Sequence, residues 1–260
     1  MEYTGKEKLL KGKTFISTRP AGRSEVLKKF FRDQGAGLME MPMINIQKAQ
    51  LSSNEKEVIN RADKFNWIVF TSSNGVSHFF DHLKDTSGSY LLGENVKIAV
   101  IGKDTGSELS RFGHAAHYVS STPTGRAFSE ELRKLFRGKN QKVLLPLGNL
   151  AGKTIEKELE GISEVFRINV YNTEMPGSIN YEAMKCIQDD NYEMIIFTSN
   201  SGFSNFCLIA KGKINFNSLR IACIGSTTSE AVSGSGITPL VTAKKMNSQG
   251  IAEAIMNYYK

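Results

Sequence analysis

WIVFTSSNGV, residues 67–76, returns lightly edited as MIIFTSNSGF, residues 194–203. In each copy a short apolar run, Trp67–Phe70 or Met194–Phe197, leads straight into Thr-Ser and then a glycine. Runs that are apolar at every position belong to strands buried on both faces, the habit of parallel sheets. Ser and Thr directly after such a run are helix N-cap residues. One chain therefore builds the same strand-to-helix junction twice.

Working outward, further apolar β-type runs occur at TFIST (14–18), KIAVIG (97–102), KVLLP (142–146), VFRINVY (165–171) and RIACIG (220–225). Helical patterns of about ten residues separate them, as in Leu27, Phe30 and Phe31 between residues 22 and 34. Such alternation predicts α/β architecture with parallel sheets. The repeat is longer than the junction. KIAVIGKDT and RIACIGSTT match as strand, Ile-Gly, and a threonine three residues on. Each then runs through a helix, a glycine turn (Gly113, Gly236), a short strand and a last helix opened by Gly125 or Gly250. TFISTRPAGRSEVLKKFF and KVLLPLGNLAGKTIEKEL correspond as strand, loop and helix. The fold expected is two similar α/β lobes.

Ligands of open α/β sheets bind outside the carboxyl ends of the strands. Helix N-termini there attract anions, each contact worth about 0.3–1 kcal/mol when exposed. The FTS junctions and the turns Gly102–Thr105 and Gly225–Thr228 would line such an edge. Their hydroxyls either cap helices or bind a ligand, and both readings stand at this point.

The net charge of +7 and a pI near 9.2 point to an anionic partner. The basic residues are scattered without aromatic interleaving, which argues against nucleic acid and for a small polyanion. Three cysteines, Cys186, Cys207 and Cys223, sit in or beside apolar segments and fit a reducing cytoplasm better than a disulfide framework. The charged start MEYTGKEKLLKGK does not read as a signal peptide, and no apolar run approaches the roughly 20 residues of a membrane span.

Some motifs point elsewhere and fail. HFFDH sets His78 and His82 one helical turn apart, yet the glutamate of a zinc protease motif is missing and His114 and His117 flank another turn. The pair is expected on a solvated helix face, with no metal. GxGxxG, GxxxxGK[ST], GxSxG and CxxC are all absent. Met39, Met41 and Met43 alternate as on a half-buried strand.

Taken together, STRPAGRSEVLKKFFRDQGAGLMEMPMINI near the start, FTSSNGV, IGKDT, LLPLGN, VYNTEMP (170–176), FTSNSGF and IGSTT resemble the uroporphyrinogen-III synthases, in that family's order, over residues 12–257. The resemblance implies two parallel-sheet α/β lobes joined by a two-stranded β linker. One lobe is discontinuous, residues 1–48 plus 174–260; the other spans 50–166; the linkers lie near 42–49 and 166–173. It implies closure of the linear tetrapyrrole hydroxymethylbilane to uroporphyrinogen III, with inversion of the last ring and loss of water. It further implies no cofactor, a monomer in the cytoplasm, and a polyanionic tetrapyrrole in the inter-lobe cleft, without nucleic acid or membrane. The family's VYxT tyrosine falls on Tyr171, the catalytic proton donor. Its binding residues fall on Ser72, Thr105, Ser199 and Thr228. Where many members carry arginine in LPxGN, this chain has Leu147. Arg19 is retained, with bracing of its junction as the alternative role. A non-catalytic bilobed binding module is the rival from another class; Tyr171 on a crossing strand favours catalysis.

Overall fold

The computed structural model describes residues 8–120, 122, 124–136 and 140–260; residues 1–7 of the charged N-terminal stretch lie outside these. The chain opens with β1 (Thr14–Ser17), α1 (Glu25–Asp33), β2 (Gly37–Glu40), β3 (Asn45–Lys48) and α2 (Ser53–Asn60). It continues through β4 (Trp67–Phe70), α3 (Ser73–Ser87), β5 (Lys97–Ile101), α4 (Gly102–Ser110), β6 (Tyr118–Ser120) and α5 (Gly125–Phe136). Next come β7 (Gln141–Gly148), α6 (Thr154–Leu159), β8 (Ser163–Glu174) and α7 (Tyr181–Gln188). The last elements are β9 (Met194–Phe197), α8 (Asn200–Ala210), β10 (Ile221–Cys223), α9 (Ser226–Ser233), β11 (Val241–Thr242) and α10 (Ser248–Tyr258).

Contacts divide the described chain into two units: residues up to Asn45 with Glu174–Lys260, and Ile46–Thr173. The first unit holds a sheet of order β11-β10-β9-β1-β2, parallel throughout. The second holds β6-β5-β4-β7-β8-β3, parallel from β6 to β8. Read against each other, β4 stands where β9 does, β5 where β10 does, and β7 and β8 where β1 and β2 do. The sequence repeat is thus a repeat of sheet position. Only the chain order differs, because the first unit begins with the strand–helix–strand piece that ends the second.

The apolar runs behave as doubly buried strands. Ile68 and Phe70 pack with α3 while Trp67 and Val69 pack with α5 and α6. In the first unit Ile195 and Phe197 face α7 and α8, and Met194 and Ile196 face α1 and α10. Burying each such side chain contributes about 1.5–3 kcal/mol before the entropic cost of ordering it. Met41 and Met43 are wholly buried and, with part-buried Met39, cover the α7–α8 side. The two crossing segments do pair, since β3 lies next to β8, but as edge and neighbour within the second unit's six-stranded sheet. β8 runs on from Ser163 to Glu174 and lies along β7 for most of its length.

Each unit owns two apolar layers, so residues 46–173 expressed alone are expected to unfold in one cooperative thermal transition. A 50–166 fragment, which loses β3 and keeps only the first four residues of β8, should melt at a lower temperature. Absence of any transition in the 46–173 fragment would contradict independent folding.

Candidate active site

In each unit the strand order reverses beside the FTS strand, since its successor lies to one side and β7 or β1 to the other. The crevice outside the carboxyl ends at such a reversal is where open α/β sheets hold ligands. The junction residues are built alike there. Ser72 (φ −158°, ψ 153°) and Ser199 (φ −160°, ψ 154°) both take extended backbone. Each side chain accepts the N–H of the glycine three residues on, Gly75 or Gly202, at 3.1 Å. That bond supplies one of the first amides of a helix, which have no partner within it. A β-carbon at position 75 would lie 3.0 Å from the Pro146 carbonyl oxygen, a tight contact that glycine avoids.

The two GxxT turns are less alike than their letters. Gly102 has φ +73°, left-handed backbone that favours glycine. Gly225 is extended, and there a β-carbon would meet the Met246 side chain at 2.7 Å. Both place the threonine in the first turns of α4 or α9. Thr105 and Thr228 are 5% and 4% exposed. Neither hydroxyl has a hydrogen-bond partner among the described residues, whereas those of Ser72 and Ser199 are already in use as caps.

Tyr171 stands at the reversal of the second unit. Its hydroxyl lies 3.3 Å from Ser72 Oγ, and its ring stacks on His78, 5.6 Å between centroids. The β7–β8 register passes from Leu147–Asn169 to Gly148–Tyr171, so Val170 is an extra residue, a β-bulge. The bulge turns consecutive residues to one face, and Ile168, Val170 and Tyr171 all pack on the α3 side. Asn149 secures the segment: its N–H donates to the Tyr171 carbonyl, and its side-chain amide bonds both the N–H and the carbonyl of Thr173.

The histidines of HFFDH correct the expectation of a solvated face. His82 is 6% exposed, and its Nε2 bonds the Val170 carbonyl at 3.0 Å, which also accepts the Ala49 N–H. The alternation of strand faces gives no hint of this, because the bulge that presents the carbonyl breaks it. Burial holds the His82 imidazole below its ordinary range, against the opposing pull of the bond to Val170. Among the described residues no three His, Cys, Asp or Glu side chains are grouped to hold a metal ion.

Leu147 is buried in the layer formed with α5 and α6, and lines a cavity of about 310 Å³ with Thr71, Ile101, Gly125 and Thr154. No cation enters from this position. The cation of the neighbourhood is Arg167 on β8, which sequence reading did not single out. It donates to the carbonyls of Gly148, Ala151 and Gly152 and to Glu156 and Asn169. Arg19, at the corresponding loop of the first unit, donates to the Arg23 carbonyl and to Ser248 on α10, a bracing arrangement.

A family model described as uroporphyrinogen-III synthase HemD matches residues 25–253. A porphyrin biosynthesis protein HemD of Ruminiclostridium josui is 29% identical over 92% of this chain, which spans only 47% of that longer protein. The uroporphyrinogen-III synthase of Synechococcus elongatus is 26% identical over 86% of each chain. Among solved structures, uroporphyrinogen-III synthetase of Helicobacter pylori superposes with a TM-score of 0.63 at 17% identity, covering 94% of this chain and 99% of that one. A mutant synthase from Thermus thermophilus gives 0.62 at 14%, covering 95% and 98%. At these identities the structures speak for the fold.

Two expectations separate caps from ligand contacts. Ser199→Ala should cost about 0.5–2 kcal/mol of stability through the lost cap, while Thr228→Val, which keeps the shape and removes a hydroxyl without a partner, should cost far less. Equal thermal midpoints for the two variants would contradict this. His82 supplies a pH expectation. Its folded form binds a proton less readily than the unfolded chain, so its contribution to stability is present above pH ~6.5 and lost as the pH falls below that range. Melting at pH 7 and at pH 5.5 should show a smaller drop for His82→Gln than for the unaltered chain.

Proposed function

The chain belongs to the uroporphyrinogen-III synthase family, a family of lyases that cyclise hydroxymethylbilane, and we propose that it performs that reaction, yielding uroporphyrinogen III with the last ring inverted and water lost. The observation that carries the proposal is the Tyr171 phenol, seated at the strand reversal beside the capped N-terminus of α3. The substrate is a polyanion and the chain carries +7. Helix N-termini at two equivalent sheet edges supply amide dipoles for carboxylates, and Thr105 and Thr228 supply hydroxyls that no described residue occupies. These features support binding of a polyanionic tetrapyrrole at the carboxyl edges of the sheets.

The chemistry asks little of the protein's nucleophiles. The pyrrole nitrogen of the substrate pushes out the terminal hydroxyl. The Tyr171 O–H donates to the departing oxygen, which leaves as water. The Ser72 hydroxyl lies 3.3 Å from that phenol. Holding the two chain ends so that the inverted ring closes is an orientation effect, and orientation can carry a large share of a barrier. The cysteines take no part: all three are free, and burial pushes the Cys223 thiol up to about 12. Free thiols support a reducing compartment such as the cytoplasm. No helix among the described residues is long and apolar enough to cross a membrane.

Incubation with hydroxymethylbilane and separation of the product isomers tests the proposal directly. Isomer III should predominate, and a mixture no different from the spontaneous isomer I would refute it. Tyr171→Phe should lower kcat by about 10²-fold or less, since general acid assistance is commonly worth about 10²–10⁴-fold and the substrate's own push reduces the need. KM should change little, and what is formed should still be isomer III. Thr228→Val should weaken turnover despite its retained stability.

A further inference from the structure

The phenol of Tyr171 is aimed by a seat rather than by its own torsions, and we infer that Gly148 is the residue that builds this seat. Gly148 is a positioning residue for the proton donor, and the inference rests on the reading of Tyr171 given above. A β-carbon on Gly148 would lie 2.5 Å from Cε2 and from Cζ of Tyr171 and 2.8 Å from its hydroxyl oxygen. Non-bonded carbon atoms settle at about 3.5–4.0 Å, so ring and methyl cannot share the space. The glycine is not required by its backbone, which lies outside the left-handed region. Space alone demands it.

The backbone of Gly148 has little freedom to yield. It ends β7 in register with Tyr171, and its carbonyl accepts from Arg167 at 3.3 Å. The next residue, Asn149, is tied to the carbonyl of Tyr171 and to Thr173. The ring is confined too, because His78 stacks on it and the Ser72 hydroxyl lies at its tip. The bulge at Val170 is part of the same device. In an unbroken ladder Val170 would stand opposite Gly148, and a one-residue slip exchanges the faces of a strand. The bulge brings the tyrosine to the one position on β7 where a missing side chain leaves room for its ring. A methyl at 148 would push the ring off Gly148 and carry the hydroxyl away from Ser72.

A double-mutant cycle on the full chain tests this, using hydroxymethylbilane and measuring kcat and KM for Gly148→Ala, Tyr171→Phe and the pair. Gly148→Ala should lower kcat by about the factor that Tyr171→Phe does, on the order of 10–100-fold, with KM little changed. The pair should fall within about twofold of Tyr171→Phe alone, because the phenol can be lost only once. Losses that multiply mean general damage to the site and overturn the inference. A slow Tyr171→Phe beside a fully active Gly148→Ala overturns the inference alone, whereas a fully active Tyr171→Phe overturns the reading of Tyr171 and the inference with it. If Gly148→Ala does not fold, Gly148→Ala/Tyr171→Ala removes the obstructing ring and should recover a cooperative thermal transition. Failure of that pair to fold when Tyr171→Ala does would show that the methyl collides with something other than the ring, and overturns the inference.

Discussion

A parallel strand that runs directly into a helix must provide for the helix's first amides within two or three residues. Ser72 and Ser199 meet that demand with one bond each, to Gly75 and Gly202, in backbone conformations that agree within a few degrees. Everything functional follows from where this happens. Parallel strands start their helices at the carboxyl edge, so caps, free amides and hydroxyls collect on one side of each sheet. The strand order then reverses beside the capped junction and opens the crevice. In the second unit that crevice holds Tyr171; in the first, the matching place is flanked by Thr18, whose hydroxyl is spent on the Ile196 carbonyl. The two units share a frame, and only one of them carries the phenol.

Much of this frame was legible in the letters. Apolar residues at every position of Trp67–Phe70 and Met194–Phe197 require burial on both faces, and only a covered parallel sheet provides it. The repeat order predicted equivalent strands, and β4 with β9 and β5 with β10 occupy equivalent places. What could not be read depended on atoms brought together from distant positions. His82 looked solvent-facing because nothing in HFFDH announces a carbonyl 88 residues away. Nothing in LPLGN announces that a β-carbon on Gly148 would meet the ring of Tyr171, a residue on another strand. Gly102 and Gly225 looked like copies, yet one answers a torsion and the other a methionine side chain. Arg167 gave no motif at all, since its partners are backbone carbonyls that any sequence would supply.

The balance between caps and free hydroxyls is the most informative feature of the site. A serine that caps a helix has spent its acceptor, and retains a donor to offer. Thr105 and Thr228, whose hydroxyls have no partner among the described residues, stand in the first turns of helices that begin at the carboxyl edge of each sheet. In the proposed function these hydroxyls are open to the carboxylates of the ligand. In the proposed reaction the substrate supplies its own driving force, and the task left to the protein is to hold it.

The central proposal is that the capped junctions at the carboxyl edge of each sheet bind a polyanionic tetrapyrrole. Amide hydrogen exchange in the presence and absence of uroporphyrinogen III, kept reduced, addresses it most directly. The account predicts added protection at four segments, 72–76 and 102–106 in the second unit and 199–203 and 225–229 in the first. Protection confined to one unit, or found only away from these junctions, would contradict it.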